Sequence, residues 1–237
     1  MQAKDARVHR LVVVRLVLVM CMGLALIGVA QASTVTFQFG GTITGGSSGL
    51  IQAIGGNTLP IRIPFSGAYT FESTIPDAIP ADATQGSYAL GDFSVSFAGR
   101  TYTMVSTPGS TGPKHILVTN NAIGDTYAVN AGAAGFADQA IDGPLINGSM
   151  PRYSFFFVNG LNWLSSDGDA LPLEPPNIGH ALVSNRVFTI QFLHGNLVGE
   201  ITSLTLAPVP LPGALLLFGS GLLGLAGLGG CRRLRKS

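Results

Sequence analysis

A chain of 237 residues with 13 Lys and Arg against 12 Asp and Glu is close to neutral overall, and its two cysteines, Cys21 and Cys231, lie near opposite ends. The charge is unevenly placed: from Ser33 to Ala207 five cations (Arg62, Arg100, Lys114, Arg152, Arg186) stand against eleven carboxylates, a net of −6. A disulfide framework and a Cys₄ zinc site are thereby excluded from the middle of the chain, and its acidic balance repels phosphate backbones, so nucleic acid is not an expected partner.

The N-terminus carries Lys4, Arg7, Arg10 and Arg15, then an apolar segment from Leu16 to Val29. Ala30-Gln31-Ala32 follows with the small-x-small pattern that signal peptidase accepts, so residues 1–32 read as a signal peptide. Ala30, Ala32 and Ser33 are the expected cleavage residues, with the mature chain starting near Ser33. Leu18-Val19-Met20 is too bulky for a lipoprotein site at Cys21.

Residues 33–207 are enough for one domain with a sizeable core. Val35, Phe37 and Phe39 alternate with Thr34, Thr36 and Gln38, the period of a half-buried strand. Gly45 to Gly49 reads as a loop, and Ile61–Phe65 and Gly67–Phe71 as strands, with Pro64 limiting how the first can pair. The Pro- and Asp-containing stretch from Glu72 to Gln85 reads as a long exposed loop. Phe93, Val95 and Phe97 alternate with Ser94, Ser96 and Ala98, and Gly99-Arg100 turns the chain into Thr101–Val105, a β-hairpin. Further strands are predicted at Ile116–Thr119, Thr126–Asn130, Tyr153–Val158, Val187–Leu193 and Leu197–Leu206. Phe155-Phe156-Phe157-Val158 is apolar on both faces and reads as a central strand. No window holds a sustained 3.6-residue apolar stripe, so the expectation is all-β: an antiparallel β-sandwich or jelly-roll-like domain, two sheets each burying one face.

After this domain, Pro208-Val209-Pro210-Leu211-Pro212 leads into an apolar run to Leu228, then Gly229-Gly230-Cys231 and the basic end Arg232, Arg233, Arg235 and Lys236. From Leu211 to Leu228 no side chain is charged. As a helix that run extends about 27 Å, close to the hydrocarbon thickness of a bilayer. A single C-terminal transmembrane helix over about 211–228 is therefore predicted, with the terminal cations cytoplasmic and the preceding domain outside.

The Pro-rich lead, the Leu/Gly/Ala-rich span Leu217-Phe218-Gly219-Ser220-Gly221-Leu222-Leu223-Gly224-Leu225-Ala226-Gly227 and the Arg-rich end resemble a PEP-CTERM sorting domain. Val209-Pro210-Leu211-Pro212 stands where that family has Pro-Glu-Pro. The resemblance covers about residues 208–237 and implies processing by an exosortase-type membrane peptidase at Val209, Pro210, Leu211 and Pro212, with Arg232, Arg233 and Arg235 as the basic part of the signal. It further implies export across the inner membrane of a Gram-negative bacterium and association with extracellular polysaccharide. Exported domains of such chains resemble β-sandwiches, and Phe65-Ser66-Gly67-Ala68-Tyr69-Thr70-Phe71 looks like a strand found in them.

Signs of catalysis are sparse. His115, His180 and His194 are far apart and form no H-x-H or H-x-x-x-H pair, so they read as surface or strand-end residues. The Gly-rich stretches of the exported region lack the Lys-Ser/Thr of a phosphate loop. Asp138 with Asp142, or Asp167 with Asp169, is the alternative: two carboxylates in a membrane-anchored, glycan-active hydrolase. In their Gly/Ser/Asn surroundings these Asp residues read first as turn formers. Ser165-Ser166-Asp167-Gly168-Asp169 offers oxygen ligands for calcium but lacks the acidic twelfth position of an EF-hand loop. Trp163 either plugs the core or stacks on a sugar, and Asn147-Gly148-Ser149 reads as a turn. The expectation is a non-enzymatic envelope protein with no catalytic, metal or cofactor-binding residues.

Overall fold

The computed structural model describes residues 33–56, 60–104, 114–120, 124–132, 140–161, 163–164 and 169–208. The signal peptide, the sorting segment from Val209 onward, Val105, Asp138 and the calcium-loop residues 165–168 lie outside the described residues.

Eleven antiparallel strands and one short helix make up the described chain. In chain order they are β1 (Thr34–Gly46), α1 (Ser48–Ala53), β2 (Ile63–Glu72), β3 (Gln85–Ala89), β4 (Phe93–Phe97), β5 (Arg100–Met104), β6 (Lys114–Thr119), β7 (Asp125–Ala131), β8 (Ile141–Asp142), β9 (Pro151–Gly160), β10 (Val183–Phe192) and β11 (Gly195–Leu206). The all-β antiparallel class is as expected. The strands form one hydrogen-bonded sheet rather than two, in the order β3-β6-β7-β9-β10-β11-β1-β2-β4-β5-β8.

The period-2 pattern explains the local structure. Phe37, Phe39 and Ile43 of β1 are buried, as are Phe93, Val95 and Phe97 of β4. The predicted β4–β5 hairpin turns at Ala98 (φ 48°) and Gly99 (φ 70°), the pair of positive angles that a two-residue turn matching strand twist requires. The two predicted strands around Pro64 are one, β2; β4 pairs it only as far as Phe65, so Pro64 needs a partner on one side alone. The predicted loop at Gly45–Gly49 is instead the end of β1 followed by α1. α1 buries Leu50 and Ile51, and Ser47 just before it donates its backbone N–H to the Asn196 carbonyl at the start of β11 and accepts the Asn196 amide on its Oγ.

The sheet curls, and the aromatic core shows by how much. Tyr69 on β2 and Tyr127 on β7 are five strands apart, about 24 Å on a flat sheet, yet their hydroxyls are 2.8 Å apart. The two flanks therefore face each other across a layer of side chains. Phe39 stands in this layer, its ring 5.2 Å from Phe156 of β9 and 5.6 Å from Phe93 of β4. Room for it comes from Gly67 directly opposite on β2, where a Cβ would run into the Phe39 ring and the Ser94 carbonyl. Two backbone links hold the curl closed. Leu90 donates to the Lys114 carbonyl on β6, and one residue later Gly91 donates to Thr70 on β2, so the β3–β4 connection steps from one flank to the other. On the far side Ala140, just before β8, donates to Arg152 of β9 at 2.7 Å.

Candidate functional site

At one end of the sheet β7 begins, β9 ends and β10 begins. The register sets Asp125 opposite Gly160, Gly160 opposite Val183, and Asn159 opposite both Thr126 and Asn185. Ser184 is the extra residue of a bulge between Val183 and Asn185, and a bulge re-aims the side chain it carries. Its hydroxyl donates to the Asn159 carbonyl at 3.2 Å and to Oδ1 at 3.1 Å, while Asn185 Nδ2 donates to the same Oδ1 at 3.0 Å. The Asn159 amide is thus fixed by two donors. With Thr119, Thr126 and the exposed Leu161, Asn159 and Ser184 line a cleft of about 330 Å³.

Asp125 forms the floor and is 1% exposed. Its Oδ2 accepts the Leu164 amide and its carbonyl accepts the Trp163 indole N–H, each at 3.0 Å. Oδ1 is buried and has no hydrogen-bond partner among the described residues. Asp125 therefore ties the chain after β9 back onto β7, and a carboxylate with one oxygen unpaired stores part of its desolvation cost there. Trp163 is 5% exposed, so it is a core plug and the sugar-stacking alternative is overturned.

The other sequence candidates are dispersed. His115 lies on β6 with Nε2 3.1 Å from Asn130 Nδ2, and partial burial holds its pKa below the usual histidine value. His180 precedes β10, its Nδ1 accepting the Leu182 amide at 3.3 Å, and His194 sits in the β10–β11 turn, its amide on Ser149 Oγ at 2.9 Å. Asp142 is exposed at the end of β8 and accepts the Gly143 amide at 2.8 Å; Asp169 offers its carbonyl to Tyr88 at 2.9 Å. Asn147 (φ 50°) and Gly148 (φ 74°) form the turn predicted for Asn147-Gly148-Ser149, closed by the Ile146–Ser149 bridge. Among the described residues no group of three His, Cys, Asp or Glu is arranged to hold a metal ion. Of the cleavage residues only Ser33 is described: exposed, its amide on Ser73 Oγ at 3.2 Å.

The Asp125 cleft went unread in the sequence, yet a signal existed. Asp125, Tyr127, Val129 and Ala131 share one face of β7 and are all buried, so the alternation already placed a carboxylate on the inward face. In its chemistry the cleft offers hydroxyl and amide groups around a buried acid. No family model matches the chain, and neither a curated protein nor a solved structure is significantly similar to it.

Proposed function

We propose that this chain is an exported, non-enzymatic cell-envelope or extracellular-matrix protein, sorted by its C-terminal PEP-CTERM-like signal and associated with exopolysaccharide. The observation that carries the reading is the tail: Pro-rich lead, uncharged run Leu211–Leu228 and basic end, placed directly after the β-domain. Signal peptidase removes residues 1–32, the tail holds the chain in the inner membrane, and an exosortase-type peptidase acts near Val209–Pro212. Supporting this order, β11 ends at Leu206 and the last backbone tie among the described residues is Ala207 N–H to the Thr36 carbonyl at 2.8 Å. Cleavage after that point leaves the hydrogen bonds of the sheet intact. Within the fold we class the curled sheet as a jelly-roll-like sandwich, since its flanks pack face to face across one aromatic layer.

Truncation after Ala207 tests the assignment. The protein is expected to move from the envelope to the medium; unchanged retention sinks the role given to the tail. Intact mass of the envelope form then separates processing, which removes Leu215–Ser237, from permanent anchoring. The hydrolase alternative rests on Asp138 with Asp142 or on Asp167 with Asp169, and Asp138 and Asp167 lie outside the described residues.

A further inference from the structure

We propose that the end of the domain from which the tail leaves rests in the headgroup layer of the membrane, with Leu161, Leu182 and Leu206 as its apolar contacts. The inference rests on the reading of Leu211–Leu228 as a span, and concerns the chain before any processing. Ala207 is held on β1 by its bond to Thr36, so Pro208, Val209 and Pro210 alone separate the sheet from the apolar run. Three extended residues reach at most about 10 Å. The headgroup layer on each side of the hydrocarbon is about 5–7 Å deep. A tether that short keeps the rim of the sheet at the lipid surface whenever the run is inserted.

That rim carries exposed leucines. Leu161 is 59% exposed, Leu182 50% and Leu206 41%. Val183 pairs with Gly160, which sets Leu182 and Leu161 side by side past the strand ends. Carrying the register from Val187 opposite Glu200 back along β10 brings Val183 level with Leu204, so Leu206 leaves at the same end. Leu206 stands opposite the buried Phe37, so it is a core-facing side chain that has run past the end of the core. The nearest cation on these strands, Arg186, is paired with Glu200 at 2.9 Å, leaving the contact to apolar burial rather than to charge. A second group of exposed apolar residues, Leu145, Met150 and Leu193, lies at the opposite end beside the β10–β11 turn, where the Leu193 amide meets the Met150 carbonyl. No chain leaves there, and it serves as the control.

The test uses the full chain in phosphatidylcholine vesicles, with Cys21 and Cys231 replaced by serine and a nitroxide on Leu161→Cys, Leu182→Cys or Leu145→Cys. Accessibility to a water-soluble nickel chelate is expected to fall severalfold at 161 and 182 relative to 145, and to stay low when salt is raised, because apolar contact is not screened. Labels at 161 and 182 as accessible as 145, in a chain that floats with the vesicles, overturn the rim contact and leave the tail reading standing. A chain that does not float removes both. Dipolar broadening between labels on two chains would seat a second copy on the rim and likewise overturn the proposal.

Discussion

Removing the Tyr69 hydroxyl tests whether the sheet closes on itself. Tyr69 and Tyr127 are fully buried, and their hydroxyls form a hydrogen bond at 2.8 Å between the two flanks. Tyr69→Phe leaves the Tyr127 hydroxyl buried without that partner, which costs about 1–3 kcal/mol. For a domain of this size, that lowers Tm by about 2–12 °C. The double variant Tyr69→Phe/Tyr127→Phe removes both polar groups, so its cost falls well short of the sum of the singles, and the cycle isolates the pair. Tyr102 supplies the control, since it is 0% exposed and its hydroxyl has no hydrogen-bond partner among the described residues. Tyr102→Phe discards an unpaired buried group and is expected to be neutral or stabilising. Urea unfolding followed by Trp163 fluorescence and by circular dichroism measures all four. A Tyr69→Phe cost no larger than that of Tyr102→Phe refutes the buried cross-flank bond and the closure inferred from it.

Titration of these phenols gives a second expectation. Burial raises the pKa of Tyr69 and Tyr127 well above the usual value, and raises Tyr102 to about 12 against an opposing pull from Arg100. The unfolded chain loses its phenolic protons first, so stability is complete below pH about 10 and falls above it, by up to about 1.4 kcal/mol per pH unit for each group. Unfolding midpoints that stay flat from pH 9 to about pH 11 would contradict this. His115 works in the other direction: its depressed pKa makes the unfolded chain take up the proton first, so stability present above pH about 6.5 is lost on acidification. His115→Gln is expected to flatten that acid limb, read from midpoints on either side of it. Asp125→Ala leaves the Leu164 amide and the cleft floor unsupported, at a cost of about 1–3 kcal/mol with a red-shifted Trp163 emission; Asp125→Asn, which can still accept, is expected to cost less. Gly41→Ala drives a Cβ into the Glu200 carbonyl and the Phe65 ring and is expected to cost about 3 kcal/mol in the same unfolding assay.

What was legible in the sequence was whatever depends on near neighbours. The alternation of Phe93, Val95 and Phe97 with serines, followed by Ala98-Gly99, specifies a hairpin without help from the rest of the chain. Phe155 to Val158 read as a central strand because both faces are apolar, and β9 does lie between β7 and β10. β3 and β8 escaped. Gln85-Gly86-Ser87-Tyr88-Ala89 contains a glycine and little β-branching, and Ile141-Asp142 is two residues long. Both exist because a partner is already in place: β6 beside β3, β5 beside β8. α1 was hidden for a similar reason, since Ser48-Gly49 is a poor helix start and the turn is held by burial of Leu50 and Ile51.

Whether eleven strands make one sheet or two is decided by pairings such as β1 with β11, at opposite ends of the domain sequence, and alternation specifies which face is buried but never which strand comes next. The same limit hid the Asp125 cleft. Its polar groups come from β7, β9 and β10 and converge only because Asp125, Gly160 and Val183 fall level at the strand ends. Asp125 itself was visible as a carboxylate on the inward face of β7. Its role became readable only once the chain beyond β9 had returned to give it the Leu164 amide and the Trp163 indole. The exposed Leu161 and Leu182 belong to that same returning connection, so the segment that Asp125 anchors also carries two of the leucines at the tail-bearing end. Loosening that anchor with Asp125→Ala is accordingly expected to disturb lipid contact at 161 and 182 as well as local stability, whereas Tyr102→Phe, buried under the opposite flank, is expected to leave the contact unchanged.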